Sequence, residues 1–417
     1  MFEFGKDLRR LFAQARESDD LGWLELVGVN LVEAEARQQA IDAGRVSCAH
    51  PFHAWMRAAA LWREHARRTG RSVSLDRARA AAGDAARIAH GDDQKARAAV
   101  ESALSRMLAF DLFGGPQHLE MALADLAGAH PGRRGGAAAL IAAVHARVRA
   151  RQARLSLPLG ARMDAAALMD AALHDLEPGA IAGEELRLDR AALTLEAGMA
   201  QRDPRLLDQA GRDLRALVEA AAPEYRPLTR ARALALCGAG LAALAALADD
   251  AAAAIQAQAM FDAAADQFTP DHSPLDWVAV QVVRAEEATG ATTLIQAEAL
   301  SADGGLILGA LARERRAGFE IALAETCGDL STLMTVEARL RRGLAGRHGP
   351  SAPLDWAVDQ LALGRIALAR AEMTGAAVGA VSLGVLEAGE VARELGVPLL
   401  AEAAAALGRR LEAQTLG

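Results

Sequence analysis

Three groupings in this 417-residue chain bring together side chains that could do chemistry. Cys48-x-His50-x-x-His53 sets a thiol and two imidazoles within six residues, donors that suit zinc. No fourth ligand stands nearby, and Pro51 stiffens the segment. The grouping therefore reads as a polar helix start with a buried cysteine, and no metal is expected. Gly238-Ala239-Gly240-Leu241-Ala242-Ala243 matches the dinucleotide fingerprint, which works only between a strand and a helix. Residues 230–236 read as helix, so these small residues are expected to serve close helix packing, and no cofactor is expected.

The third grouping is Arg147, Arg151 and Arg154, four and three residues apart and so on one helix face. Ile141, Val144, Val148 and Leu155 occupy an adjoining face. Guanidinium forks bind carboxylates well. The row is thus a candidate seat for an acidic protein or peptide segment; the plainer reading is a solvated face. Carboxylate pairs for catalysis do not stand out. Glu184-Glu185 and Asp249-Asp250 fall at helix starts, where the dipole accounts for them. Neither lysine, Lys6 or Lys95, sits in a Gly-rich loop, H-E-x-x-H is absent, and Gly70-x-Ser72 lacks the second Gly of a nucleophile elbow. An enzyme is not expected.

The totals narrow the class. A net charge of −8 argues against a general nucleic-acid binder. Cys48, Cys237 and Cys327 are odd in number and form no Cys-x-x-Cys, which fits a reducing cytoplasm. The N-terminal sequence is charged throughout, unlike the apolar core of a signal peptide. Residues 1–17 form an amphipathic pattern, with Phe4, Leu8, Leu11 and Phe12 on one face. They are expected to cap the fold, with docking to a membrane surface or a partner as the alternative. The longest uncharged run, 233–248, is short of the roughly 20 residues a membrane span needs and reads as a buried helix.

The elements that must position these groups come from an internal repeat. Residues 273–289 and 351–374 both open with Ser, then Pro-Leu-Asp-Trp, and both place a Gln four residues after the Trp: Trp277 with Gln281, Trp356 with Gln360. Pro suits the first helical position, and Asp276 and Asp355 put charge in the first turn. The two Trp–Gln pairs are candidate partner contacts; packing is the plainer role for the Trp. Pro131, Pro178, Pro223, Pro270, Pro350 and Pro398 then mark most unit ends, at intervals of 45–48 residues with one gap of 80. About eight helix pairs result, near 47–91, 92–131, 132–178, 179–223, 224–270, two shortened units within 271–350, and 351–398. Residues 1–45 form an N-terminal cap, 46–417 the repeat array, and a helix near 399–413 closes it. Gly304-Gly305 is the candidate hinge.

Trp356-Ala357 … Gln360 … Leu363-Gly364 resembles the tetratricopeptide-type repeats of many proteobacterial proteins. The copy at Trp277 departs by carrying Ala285 in place of the Gly, and Pro227 … Gly238 keeps the Pro-to-Gly spacing without the Trp. The resemblance covers about 227–398. Units near 46 residues exceed the usual length of about 34, which longer helices account for; HEAT-like pairing is the other architecture of this length. The resemblance implies an all-α, right-handed α-solenoid whose concave face, lined by first helices, binds proteins or peptides. The expected function is a non-catalytic cytoplasmic scaffold or adaptor. A small-molecule-sensing regulatory module of the same fold is the alternative, and membrane-surface recruitment through the N-terminal helix is the third.

Overall fold

A computed structural model describes residues 21–131, 136–155, 160–177, 179–284, 290–302, 306–346, 352–375 and 381–416. Among them the chain is all-α, with no strand. A 3-10 turn, Gly22–Leu26, leads through extended Val27 into α1 (Val29–Ala43). Eight helix pairs follow. They are α2 (Pro51–Thr69) with α3 (Ser72–Ile88), α4 (Asp92–Phe113) with α5 (Gln117–Ala127), and α6 (Ala137–Leu155) with α7 (Gly160–Asp175). Next come α8 (Ile181–Gln201) with α9 (Pro204–Ala220), α10 (Pro227–Ala248) with α11 (Ala251–Phe268), and α12 (Pro274–Val283) with α13 (Ala291–Ser301). Then come α14 (Leu306–Cys327) with α15 (Leu330–Gly346), α16 (Pro353–Thr374) with α17 (Ser382–Glu394), and finally the single helix α18 (Pro398–Leu416). Helices neighbouring in sequence pack on one another.

Local chemistry explains most boundaries. Gly70 ends α2 in the left-handed region at φ 72°, and its N–H caps the Ala66 carbonyl. Asp203 accepts the Arg205 N–H ahead of Pro204, an N-cap followed by Pro at the first helical position. Asp250 caps α11 in the same way. The 3-10 turn and α1 are separated at residues 27–28. Arg71 stands at the N-cap of α3, and the Ser74 hydroxyl lies 2.9 Å from the buried His65 ring. Two expectations need correction. Only one unit of the 271–350 block is shortened: α12 and α13 have 10 and 11 residues, α14 and α15 have 22 and 17. The uncharged run belongs to α10, whose 22 residues are long and apolar enough to cross a membrane, by length and composition. About one third of its apolar window is buried, where full burial was expected. Residues 1–17 and Gly304-Gly305 lie outside the described residues.

The helices divide into two compact units. One holds the described residues up to Leu108 with Glu120–Val280; the other holds Ala109–Leu119 with the described residues from Gln281 onward. In the first, Leu228, Phe261, Phe268 and Val280 form one apolar cluster, and Trp23, Leu24, Leu61, Trp62 and Ala78 another. In the second, Leu354, Val358, Leu361, Val385, Leu400 and Leu407 pack between α16, α17 and α18. Gly364 makes that packing close: a Cβ there would lie 2.5 Å from Val385 Cγ2 and 3.0 Å from Leu407 Cδ2.

Candidate functional site

Within each unit, several first helices are joined to the next first helix by ion pairs. Arg63 of α2 donates to Glu101 of α4 at 2.6 Å. Arg147 of α6 donates to Asp189 of α8 at 2.6 Å and also reaches Glu185. Arg151 takes the same Asp189 at 2.7 Å, and Arg154 takes Glu196 at 2.8 Å. Arg232 of α10 holds Asp276 of α12 at 2.6 Å. In the second unit, Arg313 of α14 pairs with Asp355 of α16, and Glu314 with Arg365. The aspartates of both Pro-Leu-Asp-Trp copies therefore bind an arginine of the preceding first helix, besides facing their own helix dipole.

In the first unit these pairs share one interior. Arg67 of α2 reaches Asp276 of α12 at 3.5 Å, so the earliest and latest first helices of that unit meet. Glu64 binds Arg67 and Arg68, and Arg226 reaches Glu184 at 2.6 Å. The charges largely balance, which leaves little net field to attract a ligand of either sign. Burial raises the Asp189 carboxyl, but Arg151 and Arg147 outweigh it and hold the group well below the usual range. Arg232 and Arg67 likewise outweigh burial at Asp276 and bring it down to about 2. Glu64 lies well below its ordinary value, because Arg67 and Arg68 overcome the same penalty.

A short segment crosses this interior. Arg68 is fully buried and donates to the Val27 and Leu24 carbonyls, both at 2.7 Å. Glu25 accepts the Thr229 N–H at 2.9 Å, the Thr229 hydroxyl at 2.6 Å and Arg226 Nε at 2.9 Å. His272 Nε2 lies 2.8 Å from the Glu25 carbonyl, and the Val29 N–H donates to the Asp271 carbonyl at 3.3 Å. Gly28 permits that approach: a Cβ there would lie 3.2 Å from the same Asp271 oxygen.

Arg147, Arg151 and Arg154 do share one face of α6, and all three are engaged by the chain's own carboxylates. Trp277 packs, partly buried, on the Leu228–Phe261 cluster, and Gln281 is 1% exposed, accepting from Arg284 at 3.2 Å. Trp356 packs, partly buried, on the Leu354 cluster, and the Gln360 side chain lies over Gly384. Cys48 is half-buried, where a buried thiol was expected, and His50 and His53 are exposed. Among the described residues no three metal-binding side chains converge. Gly238 serves helix packing, as read: a Cβ would lie 3.0 Å from the Phe261 ring of α11 and 3.1 Å from the Ala257 carbonyl. The acidic half of the network was missed. Its signal was in the spacing, since the acids stand 38, 42 or 44 residues after their arginines.

Two surface concavities complete the inventory. In the second unit a groove of about 520 Å³ runs between α14, α16 and α18, floored by Ile321, Leu368 and Leu407 and rimmed by Arg365, Glu372 and Arg410. Burial and the neighbouring Glu372 raise the Glu325 carboxyl at its edge. In the first unit a cleft of about 460 Å³ lies beside Arg190, which binds both Asp170 and Asp213. Compared with known proteins, the chain matches no family model and no curated sequence.

Proposed function

We propose that this chain is a non-catalytic scaffold or adaptor, a tetratricopeptide-like α-solenoid that binds a protein or peptide. The observation that carries the reading is the run of eight consecutive helix pairs, with arginine–carboxylate pairs between first helices inside each unit. Such an arrangement presents a preformed surface, so little ordering entropy is lost on the scaffold side. The reading places the protein in a reducing cytoplasm, in keeping with three free cysteines. Arg147, Arg151 and Arg154 are paired and largely buried, so we place the partner contact at the open groove between α14, α16 and α18, whose paired Arg365 and Arg410 are more exposed. The groove's accessible lining is mostly polar, with Glu314, Arg315, Glu325, Arg365, Glu372 and Arg410 around it, which suits a polar or charged peptide segment.

The test is capture of partners by the tagged full-length protein from its own cells, followed by titration of the recovered partner. A variant carrying Glu325→Arg and Arg410→Glu changes two exposed rim residues, with circular dichroism to verify folding. A stoichiometric partner whose affinity falls at least about tenfold in the variant supports the reading and its location. A partner that binds both forms equally moves the surface elsewhere. Absence of any partner overturns the scaffold reading in favour of small-molecule sensing, which thermal-shift screening would then address.

A further inference from the structure

Residues 21–28 hold a 3-10 turn, with Leu24 N–H donating to the Leu21 carbonyl at 3.0 Å and Val27 N–H to the Leu24 carbonyl at 3.2 Å, followed by extended backbone. Their polar atoms are also bound from three distant places. Arg68, at the end of α2, holds two of their carbonyls. The loop before α12 contributes His272 and the Asp271 carbonyl. The start of α10 contributes Arg226 and Thr229.

This last contact has a definite chemistry. Arg226 stands at the N-cap position of α10, and no side chain of that helix's own start caps it. Glu25 does so from 204 residues upstream, taking the free Thr229 N–H together with its hydroxyl and a guanidinium. The seat offers three donors to one carboxylate, at the helix end where the dipole favours an anion. Beside it Trp23 and Leu24 are buried against Leu61, Trp62 and Ala78. The occupant is thus an acidic residue with apolar neighbours, delivered by a segment with little structure of its own.

We propose that residues 21–28 are a latch: an intramolecular occupant of a carboxylate seat that keeps the first helices of the first unit closed around their charged interior. A partner segment of the same chemistry, an acidic residue preceded by apolar ones, displaces the latch and exposes the arginine–carboxylate rows. The partner half of this inference rests on the scaffold reading; the latch itself belongs to the chain alone.

The experiment uses the full chain with Trp23→Ala, Leu24→Ala and Glu25→Ala combined, beside Glu25→Ala alone. The probe is a fluorescent peptide copying residues 21–30, with a second in which the glutamate is glutamine. The combined variant is expected to keep its helical circular dichroism. Amides of 229–233 and 63–68 should exchange at least about tenfold faster than in the unaltered chain, while α17 and α18 stay unchanged. The glutamate peptide should bind the combined variant saturably and the unaltered chain not at all, and the glutamine peptide should bind at least about tenfold more weakly. Glu25→Ala alone should loosen 229–233 to a smaller degree. Unchanged exchange overturns the latch. So does cooperative loss of helix in the first unit, which would make the segment a plain structural element. Peptide binding indifferent to the glutamate overturns the carboxylate seat. If the latch results hold and no cellular partner is captured, the scaffold reading falls while the latch stands.

Discussion

Arg232 Nη2 lies 2.6 Å from Asp276 Oδ2, joining two first helices across 44 residues of sequence. The Ser273 hydroxyl donates to the same carboxylate oxygen at 2.6 Å, and Arg67 approaches it from α2. One aspartate of the Pro-Leu-Asp-Trp motif therefore orients its own helix start, ties it to the preceding pair and meets the first pair of its unit. Its counterpart Asp355 repeats the second of these roles with Arg313.

Removing either partner should weaken the compensation of a partly buried charge, since only Arg67 and Ser273 still hold Asp276 when Arg232 is gone. Arg232→Ala or Asp276→Asn is expected to cost about 1–3 kcal/mol, less than a fully dry pair, because both side chains keep some water contact. A double-mutant cycle by urea unfolding should return a coupling of about 1 kcal/mol. The pH dependence has a defined sign. Asp276 titrates in the fold at about 2, below its ordinary 3.8, so its contribution is present above pH 4 and lost as pH falls toward 2. Arg232→Ala should flatten that part of the acid-unfolding curve. A coupling of zero would mean the pair does not lock the helices.

His65 should extend the same acid limb to higher pH. Its ring is 2% exposed, lies 2.9 Å from Ser74 Oγ, and is brought down to about 4 by burial, against the pull of Glu33. Between pH 6.5 and 4 the unfolded chain binds a proton that the folded chain refuses. Stability therefore rises with pH through this window and falls on acidification, by about 3 kcal/mol at its lower end. His65→Gln should remove most of that slope. Chemical denaturation at pH 4.5 and 7.5 measures it, and equal slopes in the two proteins would show that His65 does not titrate this way.

Gly364 and Gly83 form a matched comparison within helices. Gly364→Ala drives a methyl into Val385 and Leu407 and should cost about 1–3 kcal/mol. Gly83 on α3 is exposed with nothing within 4 Å of an added Cβ. Gly83→Ala should stabilise by about 0.5–1 kcal/mol through helix propensity alone. Thermal midpoints moving in opposite directions check both; a neutral Gly364→Ala would show that α16, α17 and α18 can separate at low cost.

The pairing of helices was readable because Pro, Gly and Asp act on the few residues beside them. Pro274 and Pro353 each open a helix, where the repeated Pro-Leu-Asp-Trp motif places them. The all-α class followed from the same local signals. The engagement of the arginine row was not readable from α6 alone, because its carboxylates stand on α8. Glu184 and Glu185 satisfy a local rule at a helix start, and that rule hid their longer reach to Arg226 and Arg147. Glu25 offered no local signal, since its partners are more than 200 residues away. Division into two units was equally hidden, because consecutive pairs continue across the boundary in sequence.

The ion-pair register makes the units alike in shape but not exchangeable. Loss of residues 179–223, one whole pair, would bring Arg230, Leu234 and Leu241 to the places of Glu185, Asp189 and Glu196. Arg147 would then face another arginine, and Arg151 and Arg154 would face leucine. The α6 helix thus admits α8 and rejects α10 in its place. Duplication or deletion of a unit, ordinarily an easy way for a repeat protein to change length, would here strand buried charge at the new junction.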